Sequence, residues 1–143
     1  MQRKSRLTLV MMAILLAFGT MGIQPAKPVK AANPLRLSQV YGGSGTVSST
    51  YRYDFFEIYN SGTSPVSLAG MSIQYASATG TGNFGANDTS RTELPDVMLG
   101  AGQYYLVQEA AGTTGLDLPT PDYSGDTTPI GMSASAGKVA LVN

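Results

Sequence analysis

Asp54-Phe55-Phe56-Glu57-Ile58-Tyr59-Asn60 is the densest aromatic and β-branched run after the N-terminal segment, and it stops at a turn signal, Asn60-Ser61-Gly62. Strand alternation puts Phe56 and Ile58 on one face and Phe55, Glu57 and Tyr59 on the other. Both faces are largely apolar, which predicts a central strand with one face in the core and the other partly covered. Beyond the turn, Val66 and Leu68 continue the alternation, Ala69-Gly70 breaks it, and Met71, Ile73 and Tyr75 resume it. The expectation is a second strand returning along the first, with Ile73 and Leu106 meeting Phe56 and Ile58 in the interior.

Working outward, Leu35 and Leu37 share one strand face, and Val40 and Tyr41 end that strand. Residues 42–50 are a small-residue loop. Residues 78–90 carry glycines and small polar groups that hold neither helix nor core, with Phe84 expected to tuck back onto the fold. Residues 93–99 read as one short strand, placed at an edge by Pro95. Gly100-Ala101-Gly102 turns the chain into a strand over residues 103–108. Residues 112–125 form a loop stiffened by Pro119 and Pro121. Ile130 and Met132 mark a weak strand, and residues 138–142 a strong one. No window after the N-terminal segment sustains helical spacing. Short strands, regular turn signals and Gly-rich loops describe an all-β, antiparallel β-sandwich.

The first residues stand apart from that fold. Arg3, Lys4 and Arg6 precede an apolar run over residues 7–22, and Val29-Lys30-Ala31 fits a signal peptidase site. Residues 1–31 are therefore expected to be a secretory signal, and residues 32–143 one domain. The alternative is a membrane anchor, but the run is shorter than the roughly 20 residues a span needs. After position 31 the basic residues are Arg36, Arg52, Arg91 and Lys138, against nine acids, so the net charge is four minus nine, −5. A net-acidic domain is expected to bind nucleic acid weakly, if at all. The chain has no Cys and no His. Its stability rests on a core rather than disulfides, and Cys/His zinc sites, Ser-His-Asp triads and Cys-His dyads are ruled out.

The acids offer few sites. Asp54 and Glu57 lie three apart on a strand, so they face opposite ways and do not form an acid–base pair. The simpler reading has Asp54 capping or pairing near the edge and Glu57 hydrogen-bonded at a half-buried spot. Asp117, Asp122 and Asp126 share a loop with Ser124 and Gly125, and such oxygen ligands could hold calcium. Their spacing is not that of an EF-hand, and solvated loop carboxylates are the simpler reading. Tyr41, Tyr51, Tyr53, Tyr59, Tyr75, Tyr104, Tyr105 and Tyr123 could offer a stacking platform for sugars or bases, or be half core and half rim. The glycine runs match no Walker loop and no dinucleotide fingerprint. No catalytic, cofactor or metal residue is assigned.

Phe55-Phe56-Glu57-Ile58-Tyr59-Asn60, then Gly62, Val66, Leu68, Gly70 and Ile73, resemble the signature of the lamin-tail domain in its bacterial, secreted form. Ser38-Gln39-Val40-Tyr41-Gly42-Gly43, Ala76-Ser77-Ala78-Thr79-Gly80, Gly102-Gln103-Tyr104-Tyr105-Leu106-Val107-Gln108 and Gly137-Lys138-Val139-Ala140-Leu141-Val142-Asn143 extend the resemblance over residues 35–143. Met71 departs from it, standing where the family usually has Trp. The resemblance implies an immunoglobulin-like sandwich. Because family members continue past the block ending at Asn143, it also implies that the last strand is lacking here. It further implies a non-catalytic extracellular binding or spacer module, the N-terminal accessory domain of a secreted nuclease- or phosphatase-type protein. Its partner would be a cell-envelope component or a downstream catalytic domain. The alternatives are a metal-dependent phosphoester hydrolase in its own right, or a cell-envelope- or carbohydrate-binding module.

Overall fold

A computed structural model describes residues 33–82, 84–124 and 127–143. The expected signal segment, residues 1–31, and Asp126 lie outside the described residues. Eight strands follow in order: β1 (Leu35–Tyr41), β2 (Tyr53–Asn60), β3 (Val66–Ser67), β4 (Ser72–Ser77), β5 (Arg91–Glu93), β6 (Met98–Leu99), β7 (Tyr104–Ala111) and β8 (Gly137–Val142), with one 3-10 turn at Asp88–Ser90. They form antiparallel sheets in the orders β1-β2-β7 and β5-β4-β8, with β3 and β6 as a small ribbon. This is the expected all-β, immunoglobulin-like sandwich. Among the described residues no helix is long and apolar enough to cross a membrane.

β2 is the central strand of its sheet, and its register is the one the alternation dictates. Phe56 and Ile58 are fully buried and face Ile73, Leu68, Met71 and Val107 in one apolar cluster. Met71 thus fills an interior position, keeping the hydrophobic role without the aromatic bulk. On the opposite face Phe55 is covered more than half-exposure patterning implies: Tyr41 stacks on it at 5.5 Å and Tyr51 meets it edge-on at 5.7 Å. The same face opens to solvent at its other end, where Tyr104 is exposed.

Asn60 closes that end. Its side-chain amide donates to the carbonyls of Ser64 and Leu99 at 2.9 and 3.0 Å, and its Oδ1 accepts the N–H of Gly62 at 2.9 Å. A Cβ on Gly62 would meet Pro34 at 2.9 Å, which is why this turn takes glycine.

Five sequence expectations are corrected. Leu106 does not meet Phe56 and Ile58 in the interior: it lies opposite Glu57 on the outer face, and Val107, opposite Phe56, is the β7 residue that enters the core. The segment from Val66 to Tyr75 does not return along β2. Both edges of β2 are occupied by β1 and β7, so the chain crosses to the other sheet, where β4 pairs β5 and β8. Alternation reports which face is apolar, not which strand lies alongside. Residues 93–99 are two strands, not one. Pro95 has no N–H to continue the ladder, so β5 ends at Glu93 and the chain passes over to pair β3 through β6. Phe84 does not tuck back but stays exposed. Ile130 and Met132 form no strand, although both are buried. Their backbone N–H groups are taken by carboxylates instead.

Candidate functional site

Strand register decides which loops share an end of the sandwich. In one sheet Tyr41 lies opposite Phe55, and Tyr53 opposite Ala111, at the end where β1 and β7 finish and β2 begins. In the other, Ser77 at the end of β4 pairs Gly137 at the start of β8, and β5 begins at Arg91 opposite Gln74. Hydrogen bonds joining Thr92 to Glu109 and Met132 to Asp54 put these ends on the same side. The described parts of the connections 42–52, 78–90 and 112–136 therefore gather at one end, where a rigid scaffold presents loops rich in Gly, Ser and Thr.

Two buried acids hold that end together. Asp54 follows the same inward alternation as Phe56 and Ile58 and is 1% exposed. Its Oδ1 accepts the N–H groups of Gly43 and Ser44, both at 2.9 Å, and its Oδ2 accepts that of Met132 at 2.7 Å. Glu109 shares the inner face of β7 with Tyr105 and Val107. Its Oε1 accepts from the Thr92 hydroxyl and its Oε2 from the Ile130 N–H, both at 2.7 Å. A buried carboxylate is costly unless hydrogen-bonded, and bonds of N–H to an ionised oxygen are among the stronger ones. Each acid thus ties a β-strand of one sheet to the loop crossing the open end. Asp54 is accordingly deep in the interior rather than near an edge. Glu109 escaped the sequence reading; its place two residues after Val107 in an inward alternation was the available signal.

The loops are also tied to one another. Thr114 Oγ1 donates to the carbonyl of Thr46 at 2.8 Å, Arg52 N–H to that of Leu116 at 2.8 Å, and Thr128 Oγ1 to that of Asp88 at 3.3 Å. Gly112 approaches the first loop so closely that a Cβ there would lie 1.3 Å from the Ser44 carbonyl oxygen. Beside these contacts lies an open cleft of about 380 Å³, lined by Tyr75, Ser77, Asn87, Thr89, Ser90 and Gly131 among others. The Tyr75 hydroxyl accepts the N–H of Ser133 at 3.2 Å.

Of the acids considered for calcium, Asp117 and Asp122 are engaged separately, and Asp126 lies outside the described residues. Asp117 pairs with Arg52, whose guanidinium also sits 5.0 Å from the Tyr53 ring centroid. Asp122 Oδ2 accepts the N–H of Leu106 at 2.8 Å. Among the described residues no group of three or more Asp, Glu, His or Cys could hold a metal ion. Glu57, on the outer face, accepts the Ser38 hydroxyl at 2.7 Å, as its half-buried position suggested.

The tyrosines divide between several tasks. Tyr41 and Tyr51 cover Phe55, and Tyr59 stacks on Tyr104 at 4.6 Å across the β2–β7 pair. Tyr105 is buried on the inner face with its hydroxyl 3.5 Å from the Asp122 carbonyl oxygen. Burial raises its pKa above the ordinary tyrosine value, and the negative charge of Asp122 adds to the effect.

No curated protein and no solved structure gave a significant match to the chain. The family model described as Lamin Tail Domain matches residues 28–143. That match spans the whole sandwich, its central strand and the loop end alike, and the chain belongs to the lamin tail domain family.

Proposed function

We propose that the chain is a non-catalytic, extracellular binding or spacer module that accompanies a secreted nuclease- or phosphatase-type catalytic domain. The observation that carries this reading is the use made of the buried acids. Asp54 and Glu109 are buried, and both carboxylates are engaged by structural donors: Asp54 by backbone N–H groups of the loops after β1 and before β8, Glu109 by the Thr92 hydroxyl of β5 and the Ile130 N–H. An acid held this way is poorly placed to exchange protons with a substrate. Secretion is supported by the basic, apolar and Val29-Lys30-Ala31 segments in succession.

The basic side chains support weak contact with nucleic acid. Arg52 pairs with Asp117, Arg91 with Asp88 and Glu93, Lys138 Nζ donates to the Gly80 carbonyl, and Arg36 donates to the carbonyls of Asn33 and Leu35. They are dispersed over a net-acidic domain rather than arranged as a phosphate-binding stripe.

The test is an assay of the purified protein against nucleic acid and phosphomonoesters with added divalent cations. No turnover is expected. Turnover abolished by Asp122→Ala or Glu57→Ala would show a hydrolase instead. N-terminal sequencing of secreted protein is expected to begin at Ala32, and retention of residues 1–31 in a membrane fraction would contradict secretion.

A further inference from the structure

We infer that the cleft at the loop end is a binding site for a neutral, hydroxyl-rich ligand, a saccharide unit, recognised by Tyr75, Ser77 and Thr89. The inference rests on the reading of the domain as a binding module and supplies the ligand class. The cleft's volume, about 380 Å³, falls within the range of small-ligand sites, and it is open to solvent. Its lining determines the chemistry. Among the described residues, hydroxyls, the Asn87 carboxamide and the polypeptide backbone surround the Tyr75 ring, and no Asp, Glu, Lys or Arg belongs to the lining. A charged ligand would meet no counter-charge among the described lining residues, and a wholly apolar one would strand the lining hydroxyls. A sugar satisfies both conditions: its hydroxyls exchange hydrogen bonds with Ser and Thr, and its C–H face rests on a tyrosine.

The lining is also ready for a ligand. The Ser77 and Thr89 hydroxyls make no hydrogen bond to other described residues, so their capacity is unspent. The Tyr75 ring, by contrast, is fixed. Its hydroxyl is held by Ser133 N–H, and it packs over Gly137, where a Cβ would lie 2.5 Å from ring Cε2. Of the charged neighbours, Arg91 pairs with Asp88 and Glu93, and the Lys138 ammonium donates to the carbonyl of Gly80, a lining residue, at 2.7 Å. A fixed aromatic ring with free hydroxyls around it reduces the ordering cost of binding.

The test titrates the 15N-labelled full chain with cellohexaose, maltohexaose and N-acetylchitohexaose, with a single-stranded oligonucleotide and anionic phospholipid vesicles as comparison probes. At least one saccharide is expected to shift the amides of Ser77, Thr89 and Gly131 saturably. Thr89→Trp, which fills the cleft from an exposed position, is expected to weaken that binding by about tenfold or more, while Met98→Gln at the far end leaves it unchanged. The spectrum of each variant shows that it is folded. The inference is overturned by the absence of saturable shifts with all three saccharides, by shifts centred instead on Tyr59 and Tyr104, or by oligonucleotide or vesicles alone moving the cleft amides. Hydrolysis of a saccharide would overturn the non-catalytic reading itself, whereas silence from the saccharides would overturn only the ligand class.

Discussion

The carboxylate of Asp54 meets the backbone N–H of Met132 at 2.7 Å, across 78 residues of sequence, inside a sandwich that leaves Asp54 1% exposed. One oxygen of that side chain holds the loop after β1 and the other holds the loop before β8. The lamin tail domain fold here is therefore closed at its loop end by a carboxylate rather than by a strand.

Replacing Asp54 by Asn keeps the shape but turns one acceptor into a donor. At least one of the N–H groups of Gly43, Ser44 and Met132 then loses its partner, at a cost of about 1–3 kcal/mol. Asp54→Ala removes the acceptor for all of them and is expected to leave the chain largely unfolded. Urea denaturation of both variants measures the difference.

The register of β2 makes a second comparison. Phe56→Ala opens a cavity in the fully buried cluster and is expected to cost about 3–5 kcal/mol, a large share of the roughly 5–15 kcal/mol a small domain has in total. Phe55→Ala is expected to cost clearly less, since Tyr41 at a sheet edge and Tyr51 in a loop can close over the space. Thermal melts decide the order, and a more damaging Phe55→Ala would mean that the strand faces the other way.

Gly112 and Gly45 separate steric need from mere loop composition. Gly112→Ala would drive a methyl into the Ser44 carbonyl, backbone against backbone, and is expected to disrupt the loop end. Gly45→Ala meets nothing within 4 Å and is expected to change stability by no more than about 0.5 kcal/mol. Circular dichroism melts of the pair test this.

Tyr105 predicts the alkaline behaviour. Its pKa is raised in the folded state by burial and by Asp122, so between the unfolded and folded values the native state binds more protons than the unfolded one. Stability from this group is full below the unfolded value of about 10 and is lost as pH rises through the folded value. Denaturation midpoints followed above pH ~10 should fall less steeply for Tyr105→Phe than for the parent chain.

Much of this architecture is legible in the sequence because it rests on local alternation. Phe56 and Ile58 announce their inward face at a period of two, and Asn60-Ser61-Gly62 and Gly100-Ala101-Gly102 announce their turns. In β7 the consecutive apolar residues Tyr104-Tyr105-Leu106-Val107 leave the inward face open, and it is Tyr105 and Val107, not Leu106, that turn inward. Pairing does not follow from the same signal. Val66 and Ile73 alternate as a partner of β2 would, yet β1 and β7 are the strands that take its two edges. The loop end was hidden for a further reason. Ile130 and Met132 look like a poor strand because their backbone donors are satisfied by Glu109 and Asp54, side chains far away in sequence. The alternation that places those acids inside says nothing of which N–H groups they will meet. The cleft likewise depends on residues 75–77, 87–90 and 131 converging, which no spacing encodes.

Amide hydrogen exchange at Ile130 and Met132 tests whether the two buried carboxylates hold the loop end closed. Neither residue lies in a strand, and each N–H has a carboxylate oxygen at 2.7 Å. Both amides are expected to exchange as slowly as those of Phe56 and Ile58 in β2, opening only with the whole fold, and Met132 is expected to lose that protection selectively in Asp54→Asn. Exchange at Ile130 and Met132 in the parent chain as fast as in the exposed loop at residues 45–48 would contradict it.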